Sequence, residues 1–318
     1  MENWHYVGVD IAQDSFEADL SGKVFRFKQD ASGFKDFVGR LPAEACCVME
    51  ATGSYHCHLA YYLVSAGIAC CVVNPLSAKS FASAQMLRSK TDKADAKMLS
   101  AYGRSLQPAL WQPLPEVIVE LQQLLGLLDG YIQQRTATQN RLHSLPYQPR
   151  HSQTALQSLQ KTLDHLQTEI ADLEAACEKL VKAHYAETFE NLTSIPGVGK
   201  KTATQLIAST QGFENFDNAK QVIAFIGLAP RTFQSGTSVK GKGHICKWGK
   251  GQLRKLLYMC AIRAKQLNKT CKDLYERLRT KGKPHRVAMI AVANKLIKQA
   301  FAIVKKRTKY KENASQKI

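Results

Sequence analysis

Four carboxylates, one serine and two glycine–lysine segments are the residues of this chain whose types and spacing could do chemistry. Asp10 follows the apolar run Tyr6-Val7-Gly8-Val9, and Glu50 ends Ala45-Cys46-Cys47-Val48-Met49. Asp92 and Asp95 stand three apart in Lys90-Thr91-Asp92-Lys93-Ala94-Asp95, so a helix starting there carries both on one face. Carboxylates at the ends of neighbouring strands suit a hard, oxygen-liganded ion such as Mg²⁺, which holds and polarises a phosphate. Two of them also have a purely local use. Asp92 could cap a helix, and Glu50 could cap the turn Ala51-Thr52-Gly53-Ser54.

The second constellation is Ile195-Pro196-Gly197-Val198-Gly199-Lys200-Lys201-Thr202-Ala203. A glycine turn between two helices lets backbone N–H groups meet a phosphate, with Gly197, Gly199, Lys200 and Lys201 in reach. It resembles a helix-hairpin-helix; a plain packing corner between helices is the other reading. It is not a Walker A loop, because Lys201 sits where Ser or Thr belongs. The third constellation runs from Gln234 to Lys250 and carries Lys240, Lys242 and Lys247, with the basic residue Arg254 just beyond. A loop this rich in glycine and cations can wrap a phosphate. Ser235, followed by glycine, is open to act as a nucleophile or to bind phosphate, and Ser238 lies close by.

These residues need elements to position them. Residues 5–110 alternate between strand and helix patterns. Buried strands are expected at 6–11, 45–50 and 68–73, with a period-two meander at 15–20 and 24–28 and helices at 32–40, 55–66 and 93–105. That pattern predicts an α/β sheet covered on both faces. Between Pro115 and Leu180 the period becomes seven. Leu156, Leu159, Leu163, Leu166, Ile170, Leu173, Cys177 and Leu180 form an a/d seam, and Val117, Leu121, Leu124, Leu128, Leu142 and Leu145 continue it upstream, interrupted by Arg135 and Thr138. Pro146 and Pro149 should turn the chain between two antiparallel helices. The division expected is 1–110, 111–190 and 191–318, the last part mainly helical.

The 318 residues carry a net charge of +18, and the excess is concentrated at one end. Residues 1–110 balance 11 basic with 11 acidic side chains, residues 111–190 have 6 against 10, and residues 191–318 have 27 against 5. A third so basic points to phosphate neutralisation. No apolar run reads as a membrane span or as a signal peptide. Nine scattered cysteines without a C-x-x-C pair suit reduced thiols in a cytoplasm.

Taken in order, Gly8-Val9-Asp10-Ile11-Ala12, Met49-Glu50-Ala51-Thr52-Gly53-Ser54-Tyr55, Lys90 to Ala96, Ile195 to Gly199, Gly227-Leu228-Ala229-Pro230 and Gln234-Ser235-Gly236 resemble the DEDD transposases of bacterial insertion sequences. That family includes the pilin-gene invertase and bridge-RNA-guided recombinases, and the resemblance spans nearly the whole chain. It implies an RNase H/RuvC-like N-terminal domain, a coiled-coil middle and a C-terminal transposase domain. By motif, Asp10, Glu50, Asp92 and Asp95 become a tetrad for Mg²⁺ or Mn²⁺, and Ser235 a nucleophile forming a phosphoserine link to DNA. The partners implied are donor and target DNA, a structured guide RNA, and further copies of the chain as a dimer or tetramer. The competing expectation is a RuvC-like nuclease of branched DNA that uses water.

Overall fold

In the computed structural model, which describes residues 4–86, 91–231, 234–235, 239–240, 244–246 and 248–312 (backbone alone from 231 to 244), the three apolar runs pair as parallel strands. The chain divides into two compact units, Met1–Leu114 and Pro115–Ile318.

The first unit runs β1 (His5–Ile11), β2 (Ser15–Leu20), β3 (Lys23–Lys28), α1 (Ala31–Gly39), β4 (Ala45–Glu50), α2 (Tyr55–Ser65), β5 (Ala69–Val73), α3 (Pro75–Ala84) and α4 (Asp92–Leu106). Sheet order is β3-β2-β1-β4-β5. β1, β4 and β5 are parallel, while β2 and β3 add an antiparallel meander beside β1. Alternation along each strand sends Val7, Val9, Phe16 and Phe27 to one face, where Phe34, Phe37, Leu59 and Leu63 of α1 and α2 cover them. Cys46, Val48, Cys71 and Val73 face the other way, under Ala78 of α3 and Leu99 and Tyr102 of α4. Helix α3 was not expected from the sequence. It has a Pro at its start and the Asn74 side chain accepting from the Leu76 amide, but buries just Ala78, so its apolar period is weak.

The second unit is helical apart from short strand pairs. α5 (Glu116–Ser144) and α6 (Gln153–Thr193) lie antiparallel, joined by a single 3-10 turn at Leu145–Tyr147. On α6 the buried residues Leu163, Leu166, Ile170 and Cys177 fall on the expected seam. On α5 the register is corrected by one residue. Ile118 and Leu125 are buried, where Val117 and Leu124 were expected. Thr138, read as an interruption, is itself buried in the seam. Then come α7 (Lys200–Thr210), α8 (Ala219–Ile226), α9 (Gly251–Leu267), α10 (Lys269–Thr280) and α11 (His285–Lys306). Contrary to the sequence expectation, α11 is long and apolar enough to cross a membrane by length and composition. Its Met289, Val292, Ala293, Leu296, Ile297 and Ala300 are buried in the helical core, the ordinary reason for such a stretch in a packed domain.

Candidate functional site

The acidic centre of the first unit begins with a glycine. On β1, Tyr6, Gly8 and Asp10 share the face turned toward α4. A β-carbon on Gly8 would run into the Ala96 carbonyl and the Ser100 amide, so α4 sits directly on the strand backbone. The Gly8 amide donates to the Ser100 hydroxyl over 2.7 Å. Farther along the helix, a β-carbon on Gly103 would come within 2.6 Å of the Tyr6 ring. Helix and strand therefore run in opposite directions, Gly103 over Tyr6 and Ala96 over Gly8. One more helical turn, about 5.4 Å, brings Asp92 and Asp95 toward Asp10.

Glu50 arrives from the neighbouring strand. β1 and β4 pair in parallel up to Val9 opposite Met49, so Asp10 and Glu50 are the next residues along the two strands. Glu50 accepts a hydrogen bond from the Thr52 hydroxyl at 3.0 Å, which steadies the turn after β4. Helix α4 is capped by Thr91, whose hydroxyl accepts from the Ala94 amide at 3.2 Å. Asp92 is thus not the cap. It and Asp95 occupy the first turn, where the helix dipole favours negative charge.

Asp10 feels all three partners. Its pKa is raised to about 6, first by burial and then by the charges of Asp95, Asp92, Glu50 and Glu17. The last was not singled out by sequence reasoning. Glu17 lies on β2 directly opposite Asp10, and one of its carboxylate oxygens is buried without a hydrogen-bond partner. Nothing in the run Ser15-Phe16-Glu17-Ala18-Asp19-Leu20 except its period of two could have suggested it.

An all-oxygen donor set with an orphaned carboxylate oxygen fits a hard divalent cation. Among the described residues, no three His, Cys, Asp or Glu side chains already form a closed metal cage. The two facts agree for Mg²⁺, which is usually held by one or two carboxylates, waters and a substrate phosphate.

In the second unit the glycine turn joins α6 to α7. Gly197 has φ +100°, and a β-carbon there would come within 2.7 Å of the Ala264 side chain, so this glycine packs on α9. Gly199 is the N-cap of α7 and is exposed. Lys200 pairs with Glu178 on α6 at 2.8 Å, and Lys201 reaches Glu174 at 3.5 Å. Both lysines are well exposed, and hydrogen bonds from Lys182 and Lys200 hold the Glu178 carboxyl below its usual range.

Ser235 lies in a short antiparallel ladder. β6 (Pro230–Arg231) pairs with β9 (His244–Ile245), and β7 (Gln234–Ser235) pairs with β8 (Val239–Lys240), Ser235 opposite Val239. Ser235 and Lys240 are thus placed by backbone, whereas Ser238, Lys242 and Lys247 lie outside the described residues. The foot of this segment is tied down. The Cys246 amide donates to the Ala229 carbonyl at 2.9 Å. Arg254 donates to the Ile226 carbonyl at 2.8 Å, at the C-terminal end of α8, so its guanidinium is partly engaged in structure.

Comparison with known proteins falls on both units. Residues 7–145 match a family profile described as a transposase, and residues 189–276 match the transposase IS116/IS110/IS902 family. The chain is similar to the pilin gene-inverting protein of Moraxella bovis, 29% identical over 316 residues, covering 94% of this chain and 95% of the relative. The pilin gene-inverting protein of Moraxella lacunata matches over the same extent at 29%. The transposase for insertion sequence element IS1111A of Coxiella burnetii is 27% identical, covering 98% of this chain and 92% of the relative.

Proposed function

The chain belongs to the DEDD-type transposase and recombinase family of bacterial insertion sequences, and from that premise we propose that it cuts and rejoins DNA through a phosphoserine formed at Ser235. Membership makes it an enzyme acting on DNA, a site-specific recombinase of insertion sequences with a general dependence on divalent metal. The observation that carries the finer reading is the raised pKa of Asp10, which places the charges of Glu50, Asp92 and Asp95 within reach of one another. The sheet order β3-β2-β1-β4-β5, with the acids at one end of β1 and β4, supports an RNase H/RuvC-like reading of the first unit. The expected three-part division at 110 and 190 follows the same functional logic.

Asp10, Glu50, Asp92 and Asp95 are the residues that would hold Mg²⁺ or Mn²⁺. Bound there, the ion supplies Lewis-acid polarisation of a phosphate oxygen. The Ser235 hydroxyl attacks the scissile phosphorus. The bond to the departing 3′-oxygen breaks, that oxygen takes up a proton, and the DNA 5′-phosphate stays linked to the serine. A 3′-hydroxyl from another strand reverses the step, so the phosphodiester is remade without ATP. Gly197, Gly199, Lys200, Lys201, Lys240, Lys242, Lys247 and Arg254 belong to the basic region that holds the nucleic-acid backbone. The resemblance adds a structured guide RNA that delegates sequence reading to base pairing, an assembly of two to four copies, and a cytoplasmic setting.

The test is to incubate the protein with element-junction DNA, candidate flanking RNA and Mg²⁺, then look for a protein–DNA adduct on a denaturing gel. The adduct should form with the parent chain and vanish in Ser235→Ala and in Asp10→Ala. Cleavage that survives Ser235→Ala without an adduct would overturn the serine step in favour of water-driven hydrolysis. Activity unchanged without the RNA would remove the guide.

A further inference from the structure

We infer that Glu17 is a fifth carboxylate of the acidic centre, holding the divalent cation beside Asp10. The inference rests on reading that centre as a cation site and adds a residue to it. Three observations converge on Glu17. Antiparallel register sets it directly across from Asp10, so both side chains leave the sheet on the face covered by α4. Its Oε2 atom is buried and accepts no hydrogen bond. The nearest cation in the ladder does not relieve it. Arg26 is opposite Glu17 on β3, yet its guanidinium donates to the Ser15 hydroxyl at 3.0 and 2.9 Å.

A buried carboxylate oxygen without a donor is costly, and such an atom is commonly completed by an ion or water. A purely structural residue on β2 would not need the charge. Glu17 adds negative potential at Asp10, which opposes ionisation of both groups until a cation arrives. A polar neighbour serving the strand alone would do better as glutamine. The chemistry that fits is a hard divalent ion, Mg²⁺ or Mn²⁺, bound through carboxylate oxygen with waters completing the shell.

Mn²⁺ titrated into the full chain without nucleic acid, with free Mn²⁺ followed by electron paramagnetic resonance, tests this without any activity. Glu17→Gln should weaken binding by about tenfold, the low end of what supporting residues at metal sites contribute, while Asp10→Asn abolishes it. The melting temperature of Glu17→Gln in EDTA should equal or exceed that of the parent; a fall would assign Glu17 a structural role and overturn the inference. Parent-like Mn²⁺ binding in Glu17→Gln, with binding lost in Asp10→Asn, would overturn the role of Glu17 and leave the four-carboxylate reading standing. Parent-like binding in both variants would overturn the two together.

Discussion

The amide of Gly8 and the hydroxyl of Ser100, 92 positions apart in the chain, meet at 2.7 Å and fix how closely α4 rides on β1. The acids of the two elements meet because of that approach. Gly8→Ala places a methyl group against the Ala96 carbonyl and must lift the helix. It should destabilise the fold by about 1–3 kcal/mol, as overpacked cores do, and weaken Mn²⁺ binding as Asp92 and Asp95 withdraw. Ser100→Ala leaves the buried Gly8 amide unpaired and should cost about 1–3 kcal/mol. Denaturant unfolding paired with Mn²⁺ titration measures both; a Gly8→Ala chain with parent-like stability would contradict the contact.

The raised pKa of Asp10 gives a pH dependence of definite sign. In the folded chain Asp10 takes its proton near pH 6, against an ordinary value of 3.8. Protonation therefore favours the folded state first, so this group's contribution is fully present below pH 3.8 and is lost as pH rises through 6. With EDTA present, Asp10→Asn should melt higher than the parent at neutral pH, and the gap should close in acid. The expected gap is a few degrees, since a chain of this size shifts about 2–4 °C per kcal/mol. A gap that stays constant across the pH series would show that repulsion at Asp10 is not its cause.

Much of this site could be read before the fold was known. Asp10 and Glu50 stood out because each follows a run of β-formers, and burial on both faces of a parallel sheet leaves such runs nearly without polar residues. Glu17 stayed hidden because period two assigns a face but not the residue across the ladder, which depends on how β1 and β2 are joined. The one-residue error on α5 has a similar origin. Val117-Ile118 and Leu124-Leu125 are adjacent apolar pairs that satisfy the heptad equally, and packing selects Ile118 and Leu125. Arg254 read as charge because a hydrogen bond to a distant backbone carbonyl leaves no trace in spacing.

Lys200 offers a test of how the basic turn works. Its partner Glu178 is on the same unit and the lysine is 67% exposed, so the pair contributes little to stability, about 0–1 kcal/mol. Its value is a charge that can be handed to a phosphate. Lys200→Ala should leave the melting temperature nearly unchanged and lower the salt slope of DNA binding by about 0.9. Glu178→Gln should tighten DNA binding by releasing Lys200 and Lys182. Fluorescence anisotropy over a series of salt concentrations measures both; an unaltered slope in Lys200→Ala would remove this lysine from the interface.

Arg254 should behave differently from Lys200. It holds the Ile226 carbonyl at the foot of the serine-bearing segment, so Arg254→Ala should destabilise the second unit by about 1–3 kcal/mol. Arg254→Lys should not restore the loss, because an ammonium on a flexible stem does not reproduce the guanidinium fork. Thermal melting of the two variants decides it, and full recovery by lysine would show that charge alone is needed.

The α5–α6 hairpin acts as a ruler with discrete marks. Its buried seam repeats every seven residues on α6, and Tyr147 at the tip is 78% exposed. Removing one heptad from each limb preserves the facing layers and draws the tip in by about 10 Å, roughly the axial length of three base pairs. Removing any other number rotates the apolar stripe into water. The reach of this arm can therefore change in evolution by steps of about three base pairs and by little in between.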